Sequence, residues 1–74
     1  MQYSDLGKFI KLKRTELGLS LNKFANTADI DPAILSRIEN NKQGIKLNIL
    51  INIAKVFETT PAKFLEEFEN KNDF

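Results

Sequence analysis

The chain has 74 residues, of which 42% are hydrophobic and 28% are charged, a composition that is typical of one small globular domain and excludes a disordered tail. It contains no Cys and no His, which excludes disulfides, thiolate metal sites, a Cys nucleophile and the commonest general base. Catalysis would have to rely on carboxylates and Lys alone. We therefore expect no enzyme, no metal site and no cofactor.

The sequence also indicates where the protein acts. No stretch approaches the roughly 20 apolar residues that a membrane-spanning helix needs. Asp5, Lys8 and Lys11 interrupt the first twelve residues, which therefore lack the apolar run of a signal peptide. We expect a cytoplasmic protein with no membrane partner.

The net charge is only +1, but it is unevenly distributed. Residues 1–46 carry eight Lys or Arg against five acidic residues, whereas residues 47–74 carry three against five. This asymmetry favours a binding surface in the first part of the chain. The alternative is that the charges are simply scattered over the surface.

Two helices are predicted in the first thirty residues. The first runs from about Ser4 to Leu17, because apolar residues recur at near-helical spacing, and Gly18 ends it. The second begins at Ser20, a good N-cap residue. Its apolar residues follow the i, i+3, i+4, i+7 pattern at Leu21, Phe24, Ala25 and Ala28.

Three more helices are predicted in the rest of the chain. The third begins at Asp31, an N-cap residue followed by proline, and runs to about Asn40. The segment Ile45–Phe57 alternates like a strand, but its polar residues recur at helical spacing and favour a helix: Asn48, Asn52 and Lys55. Thr60-Pro61 begins the last helix, which frays into Asn70–Phe74. The sequence therefore predicts an all-α, compact five-helix bundle that forms a single domain over residues 1–74.

Helices two and three together predict a helix-turn-helix at about residues 20–40, in which the second helix enters the major groove of DNA. One side of helix three is apolar and the opposite side is polar. Ala33 and Ser36 are small enough for close approach, and Arg37 is long enough to reach a base edge. Three lysines are candidates for phosphate contact, with ordinary solvated side chains as the alternative: Lys23, Lys42 and Lys46.

Several short motifs follow one another along the chain: Gly18-Leu19-Ser20, Phe24-Ala25, Ala28-Asp29-Ile30, Leu35-Ser36-Arg37-Ile38-Glu39-Asn40 and the segment from Leu47 to Ala54. In this order they resemble the phage-repressor-type (Xre-like and Cro-like) helix-turn-helix family, from Leu6 to Leu65. The resemblance implies a five-helix, lambda-repressor-like domain. It also implies that the protein binds double-stranded operator DNA, usually as a homodimer, and regulates transcription.

The resemblance also implies roles for individual residues. The positions that face bases are Pro32, Ala33, Ser36 and Arg37, and those that touch phosphates are Ser20, Asn40 and Lys42. Arg14 and Glu39 match an ion pair, buried or half-buried, that ties helix one to the end of helix three. The chain departs from the family pattern at Leu21, where a phosphate-clamping Gln is usual, and at Asp29, where Gly is usual.

Helices four and five carry many apolar residues and predict a dimerisation region at about residues 49–74. The candidate interface residues are Ile49, Ile53, Val56, Phe64 and Phe68, with Phe74 close to the end of the last helix. The alternative is that helix four is simply the central buried helix. Ile34 also has two interpretations, as an edge of the core or as an apolar contact with a thymine methyl group.

The sequence therefore predicts a sequence-specific regulator that acts as a homodimer on a pseudo-palindromic site in double-stranded DNA. Phage repressors, controllers of restriction–modification operons and antitoxins all fit this description. The alternative is a protein-interaction module on the same fold, such as an antitoxin or a partner-binding regulator. Leu21 favours that alternative, whereas Arg37, Lys42 and Lys46 favour DNA. No small-molecule ligand is expected, and a protein partner stays open.

Overall fold

The structure, a computed structural model, describes residues 5–71 and forms five helices without any strand in that range. The helices are α1 (Asp5–Glu16), α2 (Leu21–Thr27), α3 (Pro32–Glu39), α4 (Leu47–Val56) and α5 (Pro61–Asn70). The predicted all-α, five-helix fold is confirmed, including the choice of a helix for α4. The predicted start of the first helix at Ser4 and the apolar Phe74 lie outside the described residues.

Side chains cap the starts of three helices. The hydroxyl of Ser20 accepts a backbone N–H of α2 at 3.1 Å, the carboxylate of Asp31 accepts one of α3 at 2.8 Å, and the hydroxyl of Thr60 accepts one of α5 at 3.1 Å. Proline follows both Asp31 and Thr60 at the first helical position, where its missing N–H costs nothing. The short helices therefore begin where their local sequence dictates.

The ends of α1 to α4 share one backbone arrangement, the Schellman motif, in which a left-handed residue turns the chain back on the helix. After α3, for example, Lys42 donates its backbone N–H to the carbonyl of Arg37 at 2.8 Å. Only one of the four left-handed residues is a glycine: Gly18, Asp29, Asn41 and Glu58. Because a Cβ makes this conformation unfavourable, the last three turns are strained.

The core contains side chains from all five helices, and its centre is aromatic. The ring of Phe9 in α1 lies 5.3 Å from that of Phe64 and 5.5 Å from that of Phe68, both in α5. Phe57 lies 5.6 Å from Phe64 and 5.5 Å from Phe24 in α2. This chain of ring contacts joins α5 to α1 and α2, so the last helix is part of the core.

Three of the residues that the sequence predicted for a dimer interface belong to this core instead. Ile53, Phe64 and Phe68 have exposed fractions of 0%, 1% and 0%, so a second subunit could not reach them without unfolding the first. The prediction is wrong for these three residues because all three are packed inside the core, where Phe64 and Phe68 contact the ring of Phe9. Ile49 and Val56 are half-buried and keep part of their surface accessible.

Close packing and an ion pair fix α1 against its neighbours. Gly7 lies so near the carbonyl of Ile38 in α3 that a Cβ at this position would overlap the oxygen. The ammonium of Lys13 lies 6.0 Å from the centre of the Phe9 ring and 5.6 Å from that of Phe57. It also lies 2.8 Å from the carboxylate of Glu67 in α5. Helix α1 is therefore fixed to α3 through Gly7 and to α5 through Lys13.

Candidate nucleic-acid interface

The two helices of the predicted helix-turn-helix are α2 and α3, and residues 28–31 connect them. Ala28 and Ile30 of this connection are buried, and α3 adds Leu35 and Ile38 to the core. Asp29 between them adopts the left-handed conformation with φ of 57°. One side of α3 is thus held by the body of the protein, and its orientation is set by a turn with two buried anchors.

The opposite side of α3 is accessible. Ala33 and Arg37 are exposed, whereas Pro32 and Ser36 are half-buried. Asn40, at the end of the helix, donates its side-chain amide to the carbonyl of Ser36 at 2.8 Å. The residues that the sequence predicted to face bases therefore occupy the outer surface of α3, and their side chains are small except for Arg37.

Arg37 is held by Gln43, a residue that no sequence pattern marks as functional. Its Nε donates a hydrogen bond to Oε1 of Gln43 at 2.7 Å. Gln43 lies in the loop between α3 and α4, six residues further on, and nothing in its polar surroundings signals a contact. The Schellman turn at Asn41 brings the loop back toward the helix. An Asn just after the helix is the one sequence signal of this turn, because Asn is among the residues that adopt the left-handed conformation there.

The residues predicted to contact phosphates are all exposed: Ser20, Lys23, Asn40, Lys42 and Lys46. The oxygen of Ser20 accepts the backbone N–H of Lys23, which leaves the hydroxyl hydrogen available to donate to an anion. Lys42 is tied to the end of α3 by its backbone bond to Arg37. The backbone of Lys42 is therefore fixed directly after the accessible helix, where a residue that contacts phosphate is expected.

Two apolar residues at the edge of this surface are partly withdrawn from it. Leu21, at the position where a Gln is usual, is half-buried and packs against the core. Ile34 is also half-buried and packs against the core, which favours its interpretation as a core-edge residue. Both side chains stabilise the helix-turn-helix from within, and neither carries a polar group for DNA.

The ion pair predicted between Arg14 and Glu39 is present. Nε of Arg14 donates to one carboxylate oxygen at 2.7 Å and Nη2 donates to the other at 2.9 Å, while Nη1 donates to the carbonyl of Leu19 at 2.8 Å. The exposed fractions of the two side chains are 9% and 3%. The hydrogen bond to Glu39 raises the pKa of Arg14 above its ordinary value, although burial opposes this shift. The charged pair therefore joins α1, the following turn and the end of α3.

Within residues 5–71, no helix is long and apolar enough to cross a membrane. That part of the chain also holds no group of three or more Asp or Glu residues arranged to bind a metal ion. The exposed side of α3 with the cations beside it is the clearest candidate site among the described residues.

Comparisons with known proteins identify the family. The family described as Helix-turn-helix matches residues 10–64. No curated protein matches the sequence. Among solved structures, a chain of the SinR protein/SinI protein complex has 31% identity and a TM-score of 0.75, and the alignment covers 90% of this chain and 66% of that one.

The clp gene regulator ClgR from Corynebacterium glutamicum has 22% identity and a TM-score of 0.75, with 86% of this chain and 68% of that one covered. At this identity the likeness shows the fold alone. The present chain spans about two thirds of the length of each matched structure. Because the family match contains the whole of α2, the turn and α3, the chain belongs to the phage-repressor-type, Xre-like helix-turn-helix family of DNA-binding regulators.

Proposed function

We propose that the protein is a sequence-specific regulator of transcription that acts as a homodimer on a pseudo-palindromic operator in double-stranded DNA. The observation that carries this proposal is the division of α3 into two sides. Leu35 and Ile38 anchor one side in the core, and Arg37 stands on the accessible side among small residues. A recognition helix needs this arrangement, since it must be held rigidly while its outer side enters the major groove.

Base recognition is assigned to Pro32, Ala33, Ser36 and Arg37. The guanidinium of Arg37 can donate two hydrogen bonds to O6 and N7 of a guanine, which is the commonest specific contact in the major groove. Ala33 and Ser36 have short side chains and permit the helix to approach the base edges. Pro32 starts the helix and faces the bases at its first turn.

Phosphate contact is assigned to the exposed polar residues around α2 and after α3. Lysine ammonium groups neutralise backbone charge and release counterions, which supplies affinity without sequence preference. Hydroxyl and amide groups fix the register of the protein on the duplex. The residues in this role are Ser20, Lys23, Asn40, Lys42 and Lys46.

The homodimer is proposed to form through the region that begins at about residue 49. Ile49 and Val56 are the predicted interface residues that keep part of their surface accessible, and Leu65 of α5 is also half-buried. A two-fold interface repeats the same patch on both subunits. It would set the two recognition helices about 34 Å apart, which is one turn of DNA, so that two half-site contacts act together.

A protein-interaction module is the second candidate function. Leu47 is an apolar side chain that is 68% exposed, and Leu17 is 50% exposed. The matched SinR protein/SinI protein structure is a complex of two proteins. These observations favour a protein partner, either in addition to DNA or in its place.

Selection of bound duplexes from a random pool tests the proposed function. We expect a pseudo-palindromic sequence with a guanine at one fixed position of each half-site. Arg37→Ala should then lose about 1–3 kcal/mol of discrimination at that base pair, while binding to random duplex falls much less. Equal loss on both duplexes would reassign Arg37 to phosphate contact. If no sequence is enriched and the protein is not retained on duplex at low salt, the protein-interaction function is the better one.

A further inference from the structure

The contact between Arg37 and Gln43 crosses from the recognition helix to the next loop. Both residues are exposed, and the bond of 2.7 Å uses Nε of the guanidinium. The planar fork of Arg has five N–H donors, so the terminal nitrogens Nη1 and Nη2 retain donors for another acceptor. An end-on approach of these two nitrogens matches O6 and N7 of guanine.

We propose that Gln43 is a positioning residue that determines specificity by holding the guanidinium of Arg37 in the orientation that reads a base. This inference rests on the proposed base-reading role of Arg37 and adds a residue outside α3 to it. A free Arg side chain populates many rotamers, and DNA binding must immobilise it at an entropic cost. An acceptor that fixes Nε before binding removes part of that cost.

The loop that carries Gln43 is itself fixed to the helix. Asn41 donates its backbone N–H to the carbonyl of Ile38 at 3.1 Å, and Lys42 donates its own to the carbonyl of Arg37. These bonds close the Schellman motif, so the start of the loop keeps one backbone path. Gln43 follows directly and is therefore presented to Arg37 from a defined direction.

A neutral acceptor suits this role better than a carboxylate. A Glu at position 43 would bind the guanidinium through a charge-assisted bond, which is the stronger interaction. It would also cancel the positive charge that attracts DNA and would place a negative charge near phosphates. The amide oxygen of Gln43 holds Nε while Arg37 keeps its full charge for the operator.

The decisive experiment measures discrimination, defined as the ratio of Kd values for the selected operator and for the operator with its guanine pair replaced. Gln43→Met keeps the length of the side chain and removes the acceptor. We expect discrimination to fall by about three- to tenfold per half-site, the loss that corresponds to ordering one free side chain on binding. The slope of log K against log salt should not change, because no charge is altered.

Three further variants isolate the mechanism. Lys42→Ala, the matched neighbour in the same loop, should weaken all sequences alike and flatten the salt slope. Gln43→Glu should also weaken all sequences alike, since it changes charge and keeps an acceptor. In an Arg37→Ala background, Gln43→Met should have no further effect on discrimination, because its effect acts through Arg37. In the free protein, Gln43→Met should speed the exchange of the Arg37 Nε–H with water, as measured by NMR.

The possible results distinguish failure of the inference about Gln43 from failure of the proposed function. If Arg37→Ala abolishes discrimination and Gln43→Met leaves it unchanged, the positioning role is wrong and base reading by Arg37 stands. If Gln43→Met lowers discrimination equally in both backgrounds, Gln43 contacts the base itself and the inference is overturned. If Arg37→Ala leaves discrimination unchanged, the base-reading role fails and the inference fails with it. Circular dichroism checks that each variant is folded.

Discussion

Arg14 in α1 and Glu39 at the last position of α3 form a doubly hydrogen-bonded ion pair that is almost completely withdrawn from solvent. The third nitrogen of the same guanidinium binds the carbonyl of Leu19, just before α2 begins. One side chain therefore ties together the three elements that orient the accessible side of α3. The pair holds α3 in place without touching its outer surface.

Breaking this pair should unfold the protein more easily. Removing one partner leaves the other charge buried and unpaired, so Glu39→Ala should lower the free energy of unfolding by about 3–5 kcal/mol. Arg14→Ala should behave similarly, and the double variant should cost less than the sum of the two. Urea denaturation followed by circular dichroism measures all three. Glu16→Ala, on the exposed surface of α1, is the control and should change stability by less than about 0.5 kcal/mol. Strict additivity would show that the two residues are not coupled.

Above neutral pH, the stability that this ion pair contributes should change only in the strongly alkaline range. The pKa of Arg14 is raised above its ordinary value in the folded protein, chiefly by its hydrogen bond to Glu39. A raised pKa contributes stability that is fully present below the unfolded value and is lost only as the pH rises through the folded value. The coupling energy from the double-variant cycle should therefore be the same at pH 7 and pH 9. A fall over that interval would mean that another group controls the pair.

DNA binding should depend steeply on salt. Each neutralised phosphate contributes roughly −0.9 to the slope of log K against log salt. If each subunit uses two or three of Lys23, Lys42 and Lys46, a dimer should show a slope of at least about −4. Lys42→Ala should reduce the magnitude of the slope by about 2 per dimer. Lys63→Ala, which removes an exposed charge from α5, should leave the slope unchanged. A wild-type slope near zero would exclude the proposed phosphate contacts.

The strained turn after α4 offers a stabilising substitution. Glu58 has φ of 56°, and a left-handed residue with a side chain costs about 1–2 kcal/mol, whereas glycine adopts this conformation freely. Part of that gain is offset because glycine is more flexible in the unfolded chain. We expect Glu58→Gly to raise the free energy of unfolding by about 0.5–1 kcal/mol.

Asp29→Gly, after α2, should act in the same direction. Glu66→Gly in the middle of α5 is the matched control and should destabilise by about 1 kcal/mol. Equal effects at residues 58 and 66 would contradict the role of the turn.

The proposed dimer can be tested at a residue that keeps part of its surface accessible. Val56→Glu places a charge on the half-buried side of α4, so it should shift the protein toward the monomer and weaken binding to the two-part operator. Leu12→Glu, at a 42% exposed position of α1, serves as the control and should leave both mass and affinity unchanged. Sedimentation at micromolar concentration reports the mass. A wild-type protein that stays monomeric in the presence of operator would end the dimer proposal. Phe68→Glu is unsuitable because this ring is in the core.

The sequence alone determined the positions of the helices, because the signals that start and end a helix are local. Ser20, Asp31 and Thr60 bind backbone groups two or three residues away, and such bonds depend on little beyond the neighbouring sequence. The division of α3 into an apolar and an accessible side also follows from spacing along one helix. The pairing of Arg14 with Glu39 was available through the family resemblance, since the spacing itself does not show which distant residues meet.

Only the tertiary structure decided which apolar residues of α4 and α5 are buried and which side chain supports Arg37 on the accessible side of α3. Helical spacing places Ile53, Phe64 and Phe68 on apolar sides, but their complete burial depends on how α4 and α5 close around Phe9. The bond between Gln43 and Arg37 depends on a left-handed Asn41 that reverses the chain after α3. The burial of the three apolar residues and the bond between Gln43 and Arg37 both depend on how separate elements are placed relative to one another. That placement is fixed by the packing of the whole core rather than by the sequence around any one residue.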